Sequence, residues 1–202
     1  MRRLTLALGL ALWSLAGTAP AAERLVLEPY PAAQPWREVT HKTAGAAFLI
    51  EQIPADQDID HYRDILSAQS FPDNRGVDPS DFLRGLFARF GGACEGVRVN
   101  GPKAQVEAGY AVAYGQAYCG RQRGKPFGVR IFYKVLQGQD ALYVVLRESR
   151  TPPGAVGGVQ SFSKDQLAAA IEMMKAASVA NDYIVKSVYL CGGASTEPRC
   201  AS

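Results

Sequence analysis

The chain has 202 residues with 22 basic and 19 acidic side chains, a formal charge of +3. A balance that close to neutral, with no Lys/Arg run, leaves no electrostatic case for nucleic acid or anionic lipid as a partner. No stretch reaches the roughly 20 apolar residues of a spanning helix, so the chain is read as not membrane-spanning.

The first residues have the form of an export signal over 1–21. Arg2 and Arg3 make the basic region, Leu4 to Leu15 the apolar region, and Ala19-Pro20-Ala21 the small-residue cleavage site. No Cys stands at a cleavage position, so a lipid anchor has no attachment point. The expected product is a periplasmic or secreted α+β domain spanning 22–202, about 180 residues and thus one domain in size. Two of the 22 basic residues leave with the signal, so the exported chain is nearer neutrality than its pI of 8.7 implies.

From Glu23 to Pro35 the prolines at 29, 31 and 35 forbid a helix and predict an extended lead-in with one short strand. Trp36 to Thr40 and Ala46 to Ile53 read as strands. Residues 63–71 fit either period: Ile59, Tyr62 and Ile65 have helical spacing, while the same stretch also alternates as a strand. A helix over about 79–90 follows. Asp78 is its N-cap, Pro79 its first residue, and Phe82, Leu83, Leu86, Phe87 and Phe90 its apolar face. Gly91-Gly92 is expected to stop it.

After Cys94 a strand is expected to reach Val99 and turn at Asn100-Gly101, the strongest short hairpin signal in the chain. The return strand would be Ala104 to Tyr118, whose even positions carry the large side chains. Phe127 to Leu136 and Ala141 to Glu148 predict a further hairpin. The connection from Arg150 to Val159 leads to a helix over 164–180, opened by the capping box Ser163 to Gln166 and a Phe162–Leu167 staple. Its buried stripe is expected to be Leu167, Ile171, Met174 and Ala177 or Ser178, with Asn181 beyond its end. Ile184 to Leu190 closes the list of strands. The two helices are expected to pack an antiparallel sheet of about six strands with an N-terminal hairpin.

Export makes the four cysteines a disulfide question with three possible connectivities. No C-x-x-C is present to activate a thiol, so structural bridges are expected. Cys94 and Cys119 flank neighbouring strands, and Cys191 and Cys200 share a Gly/Ser/Pro-rich tail. The preferred pairing is therefore Cys94–Cys119 with Cys191–Cys200, the latter closing a tail over about 191–202.

Most catalytic signatures are missing. Asp56, Asp58 and Asp60 have calcium-loop spacing, but His61 and Ser67 stand where an EF-hand needs Gly and Glu. His41 and His61 lack ligand spacing, so no metal and no cofactor is expected. No G-x-S-x-G elbow is present, and Gly120 to Pro126 lacks phosphate-loop spacing. Tyr110, Tyr114 and Tyr118 share a face with valines and read as packing. The one local concentration of cations is Arg121, Arg123 and Lys125 followed by Arg130, Lys134 and Arg147, with Tyr133 and Tyr143 nearby. Arg with exposed Tyr is the composition of interaction surfaces. The candidate binding residues are therefore Arg121, Arg123, Lys125, Arg130, Tyr133 and Arg147.

With the strands placed, the chain resembles a group of small exported proteins of proteobacterial type. The resemblance lies in LIEQIP and the following segment ending SAQSF, Ala93-Cys94, Cys119 with Gly124-Lys125-Pro126, QGQDALYVV, and Leu190-Cys191. It implies a strand over 63–71 and a hairpin around Asp56 to Asp60; its motifs are structural and imply no activity. The element order is also similar to the PsbP-like α/β/α sandwich, whose members act mainly as accessory or binding proteins, although fold alone does not fix function. The expectation is a non-catalytic binding or envelope accessory protein. Its partner would be a periplasmic or envelope protein or a small anionic ligand. The alternative is a periplasmic hydrolase using carboxylates, for which the sequence shows no acid pair.

Overall fold

The computed structural model describes residues 22–31, 35–154 and 163–201. The export signal and the staple residue Phe162 lie outside them, as does the second half of the 150–159 connection. Nine strands and two helices occur among the described residues: β1 Arg24–Leu27, β2 Trp36–Ala44, β3 Ala47–Pro54, β4 Asp64–Phe71, α1 Pro79–Ala93, β5 Cys94–Glu107, β6 Tyr110–Gln122, β7 Gly128–Gln137, β8 Leu142–Thr151, α2 Lys164–Lys186 and β9 Val188–Cys191.

Seven strands form one antiparallel sheet in the order β2-β3-β4-β8-β7-β6-β5, and β1 pairs with β9 in a separate ribbon. The main sheet thus exceeds the expected six strands. Residues 63–71 contribute β4, a central strand covered on both faces, which explains why they lack a clean alternation.

Successive residues point to opposite faces, so each strand divides its side chains between two cores. One core joins Leu83 and Phe87 of α1 to Ala113, Ala117, Val129, Ile131, Val135 and Val144. Here β6 offers only small residues, and a side chain at Gly115 would meet Phe87 and Leu83 at 2.7 and 2.8 Å. The small odd-numbered positions of β6 are therefore the seat of α1. Its N-terminus forms as expected: the Asp78 carboxylate accepts hydrogen bonds from the amides of Ser80 (2.8 Å) and Asp81 (3.1 Å). On the opposite face Leu66, Ala68 and Val145 pack under Tyr183, Ile184 and Val188, while Tyr110, Val112, Tyr114 and Tyr143 pack near Leu190.

Several expectations need correction. The α1 helix runs through Gly91 and Gly92 to Ala93 and passes directly into β5 at Cys94, whose amide still bonds the Phe90 carbonyl. Neither glycine takes a positive φ, so neither supplies a left-handed stop.

Asn100-Gly101 does not reverse the chain. Gly101 uses its φ of 98° for an irregularity inside β5, and Pro102, with no N–H, leaves the register shifted between Asn100 and Lys103. The reversal comes at Ala108 and Gly109, with φ values of 47° and 91°. This is the two-residue geometry of a tight hairpin, with alanine where glycine or asparagine is usual. The tail supplies the compensation: Thr196 donates its amide to the Ala108 carbonyl at 3.0 Å, and Ala194 leaves no room for a side chain at Gly109.

The C-terminal helix also differs. It extends past Asn181 to Lys186, and Ile184 belongs to it rather than to a strand. Among its described residues Ala180, Tyr183 and Ile184 are buried, whereas Leu167, Ile171 and Met174 are 49%, 38% and 55% exposed. The expected stripe is thus not the buried one. The cysteines pair as preferred: Cys94 with Cys119 ties the α1–β5 junction to β6, and Cys191 with Cys200 closes the tail.

Candidate functional site

The sheet register gathers a polar rung on the face that carries α2. Arg98 of β5 stands opposite Tyr118 of β6, Tyr118 opposite Arg130 of β7, Arg130 opposite Ser149 of β8, and Ser149 opposite Asp64 of β4. Side chains directly across neighbouring strands lie close enough to interact. Both guanidinium groups approach the Tyr118 ring, Arg130 at 5.1 Å and Arg98 at 5.9 Å from its centroid. Neither has a hydrogen bond or ion pair with another described side chain, and the Arg130 Nε is buried without a partner among the described residues. A half-buried guanidinium keeps its charge and presents a planar fork, so this rung can accept a carboxylate, sulfate or phosphate.

The expected site residues separate. Arg130 lies in the rung. Arg147 is on the same face but buried, bonded to Asp64 at 2.6 Å, and Ser149 bonds the same carboxylate oxygen at 2.7 Å. Arg147 therefore neutralises an internal charge. Tyr133 points to the other face, where it is buried edge-on to Phe87 at 6.0 Å. Tyr143 is buried as well. Arg121, Arg123 and Lys125 are exposed around the β6–β7 turn, beyond the Arg130 end of the sheet. The sequence reading passed over Arg98 and Tyr118. Arg98 lies outside the cation-rich stretch, and Tyr118 read as packing; only the β5–β6 register brings them together.

Lys134 has a different task. Its side chain is fully buried, ion-paired to Glu107 at 2.7 Å, and donates to the carbonyls of Val188 (2.7 Å) and Val185 (3.1 Å). Tyr114 donates to the other oxygen of Glu107. Burial pushes the ammonium below its ordinary pKa, while Glu107 pulls it back. With all three hydrogens directed at acceptors, the group closes the C-terminal end of α2 and is not a free nucleophile.

Glu148 is the strongly placed acid. Burial raises its pKa, against the lowering effects of a 2.9 Å hydrogen bond from Tyr62 and the charge of Arg150; Glu51 adds to the rise. Arg150 in turn stacks on Tyr62 at 3.7 Å and on Phe127 at 4.5 Å. At the β3–β4 loop, Asp58 accepts the amides of Asp60 and His61, which accounts for the acidic tip. Among the described residues no group of three or more His, Cys, Asp or Glu is placed to hold a metal ion, and no helix is long and apolar enough to cross a membrane.

No protein-family model matches the chain, and no curated protein matches it in sequence. The resemblance to the exported group therefore rests on the quoted motifs alone. A similar solved structure is LpqN, involved in cell envelope biogenesis of Mycobacterium tuberculosis. It is 16% identical, with 85% of this chain and 89% of that one covered. Its TM-score of 0.38 is too low to carry fold or role across.

Proposed function

We propose that the protein is a non-catalytic, exported binding module that recognises an anionic group through Arg98, Tyr118 and Arg130, with Arg121, Arg123 and Lys125 drawing the ligand toward that edge. The carrying observation is a pair of guanidinium groups at one tyrosine with no counter-ion among the described residues. Two disulfides support an oxidising, extracytoplasmic compartment. N-terminal sequencing of exported protein should begin at Ala22.

Calorimetric titration with a hexaglutamate peptide and with inorganic phosphate tests the binding reading. The wild type should bind at least one of them, more weakly as salt rises. An Arg98→Gln/Arg130→Gln double variant should lose about 10-fold or more in affinity, in line with two charge-assisted contacts. Equal affinity in the variant would move the site away from the rung. The hydrolase alternative draws on Glu148, whose raised pKa suits a general acid. That carboxyl is engaged by Tyr62 beneath Arg150, an arrangement that serves closure of the 55–63 loop.

A further inference from the structure

A groove of about 900 Å³ opens on the α2-bearing side of the sheet, away from the arginine rung. One wall is the start of β1, from Glu23 to Leu25; the floor is Phe48 and Ile50 of β3 with Tyr143 of β8. The size falls within the range of small-ligand sites, and the floor is apolar as such sites are. Two features point to the occupant.

The first is backbone. Among the described residues β1 pairs with β9 on one side only and no other strand joins the ribbon, so the outer edge of β1 carries main-chain groups without strand partners there. An open edge beside an apolar floor is the setting in which an extended peptide adds as a strand. The second is charge. Glu23 is engaged, accepting the amides of Gln139 (2.8 Å) and Asp140 (3.3 Å) and so fastening β1 to the β7–β8 turn. The remaining rim charges are Arg24, Arg75, Asp73 and Asp140, all exposed, and among the described residues none forms an ion pair. With Glu23 the rim holds two guanidinium groups and three carboxylates that share it without meeting, which suits a ligand bearing both charges. A purely anionic ligand would face three like charges and a purely cationic one two.

We infer that this groove binds a short extended peptide with free ends, laid along β1 with an apolar side chain on Phe48, Ile50 and Tyr143. The peptide's ammonium faces Asp73 and Asp140, and its carboxylate faces Arg24 and Arg75. This ligand class and this site are separate from the anion rung.

The test is calorimetry and amide chemical-shift mapping with the tripeptide Ala-Leu-Ala, its N-acetylated form and its C-amidated form. The free tripeptide should bind and shift amides of β1 and β3. Each blocked form should bind at least 5-fold more weakly, and Asp140→Asn and Arg75→Gln, both at exposed positions, should weaken the free form similarly. Arg98→Gln/Arg130→Gln should leave tripeptide binding unchanged, which separates this site from the rung. Absence of binding at millimolar peptide, equal binding of the blocked forms, or shifts confined to the Arg98–Arg130 face would each overturn the inference.

Discussion

The buried Lys134 and the half-buried Glu148 are two ionisable groups with opposite consequences. Lys134 is matched by one carboxylate and two carbonyls, so its removal leaves the partly exposed Glu107 without its cation and two carbonyls without their donor. Lys134→Met should cost about 1–3 kcal/mol in a denaturant titration, because two buried carbonyls and Glu107 lose a charged donor. Adding Glu107→Gln should return part of that loss. Glu148 is poorly matched. Its folded pKa lies above the ordinary carboxylate value, so between those two pH values the folded state holds a proton that the unfolded chain has released. Stability contributed by that proton is complete below the ordinary carboxylate pKa and is lost as pH rises through the folded one. Glu148→Gln keeps an acceptor for Tyr62 and should raise the melting temperature at pH 7 by about 2–4 °C per kcal/mol recovered. The advantage should vanish near pH 4, and a gain that persists there would assign the effect to something other than this carboxyl.

At the scale of elements, α2 tests whether spacing or environment decides burial. Leu167, Ile171 and Met174 have helical period, yet the sheet is covered by the last turns of the helix, through Ala180, Tyr183 and Ile184. Ile171→Asp should change stability by no more than about 0.5 kcal/mol, as surface substitutions do. Ile184→Asp should cost several kcal/mol, about the penalty of burying an unpaired carboxyl. Thermal melts of the two variants separate the alternatives directly. The contrast also explains what could be read in advance. The α1 helix was legible because its cap, its proline and its apolar face lie within a dozen residues of one another. The β5–β6 turn was not, because Ala108-Gly109 is held by Ala194 and Thr196, more than 80 residues away, and the local Asn-Gly pair was put to another use. The arginine rung was hidden for the same reason: with the turn misplaced, Arg98 and Tyr118 could not be aligned. Arg130 was singled out by charge alone, while Tyr133 was expected to be exposed and is buried against Phe87, because residue type does not report parity within a strand buried on both sides.

Across the whole molecule, the two disulfides close loops of different size and should contribute unequally. By loop entropy, removing Cys94–Cys119, with a sequence separation of 25, should cost about 3–4 kcal/mol. Removing Cys191–Cys200, with a separation of 9, should cost about 2–3 kcal/mol. Paired Cys→Ala variants under denaturant give the comparison. The shorter bridge nevertheless borders the segment on which the interior depends. The acceptors that complete the Lys134 cage, Val185 and Val188, follow it by more than fifty residues, and the tail beyond them braces the β5–β6 turn. A chain threaded outward from its N-terminus would keep that lysine without its carbonyl acceptors until the end of α2 and the start of β9 had emerged. Loss of the last 18 residues, from Val185 onward, would remove both carbonyls and yield an open sheet with a solvated charge, readily distinguished by a quality-control protease from the finished protein.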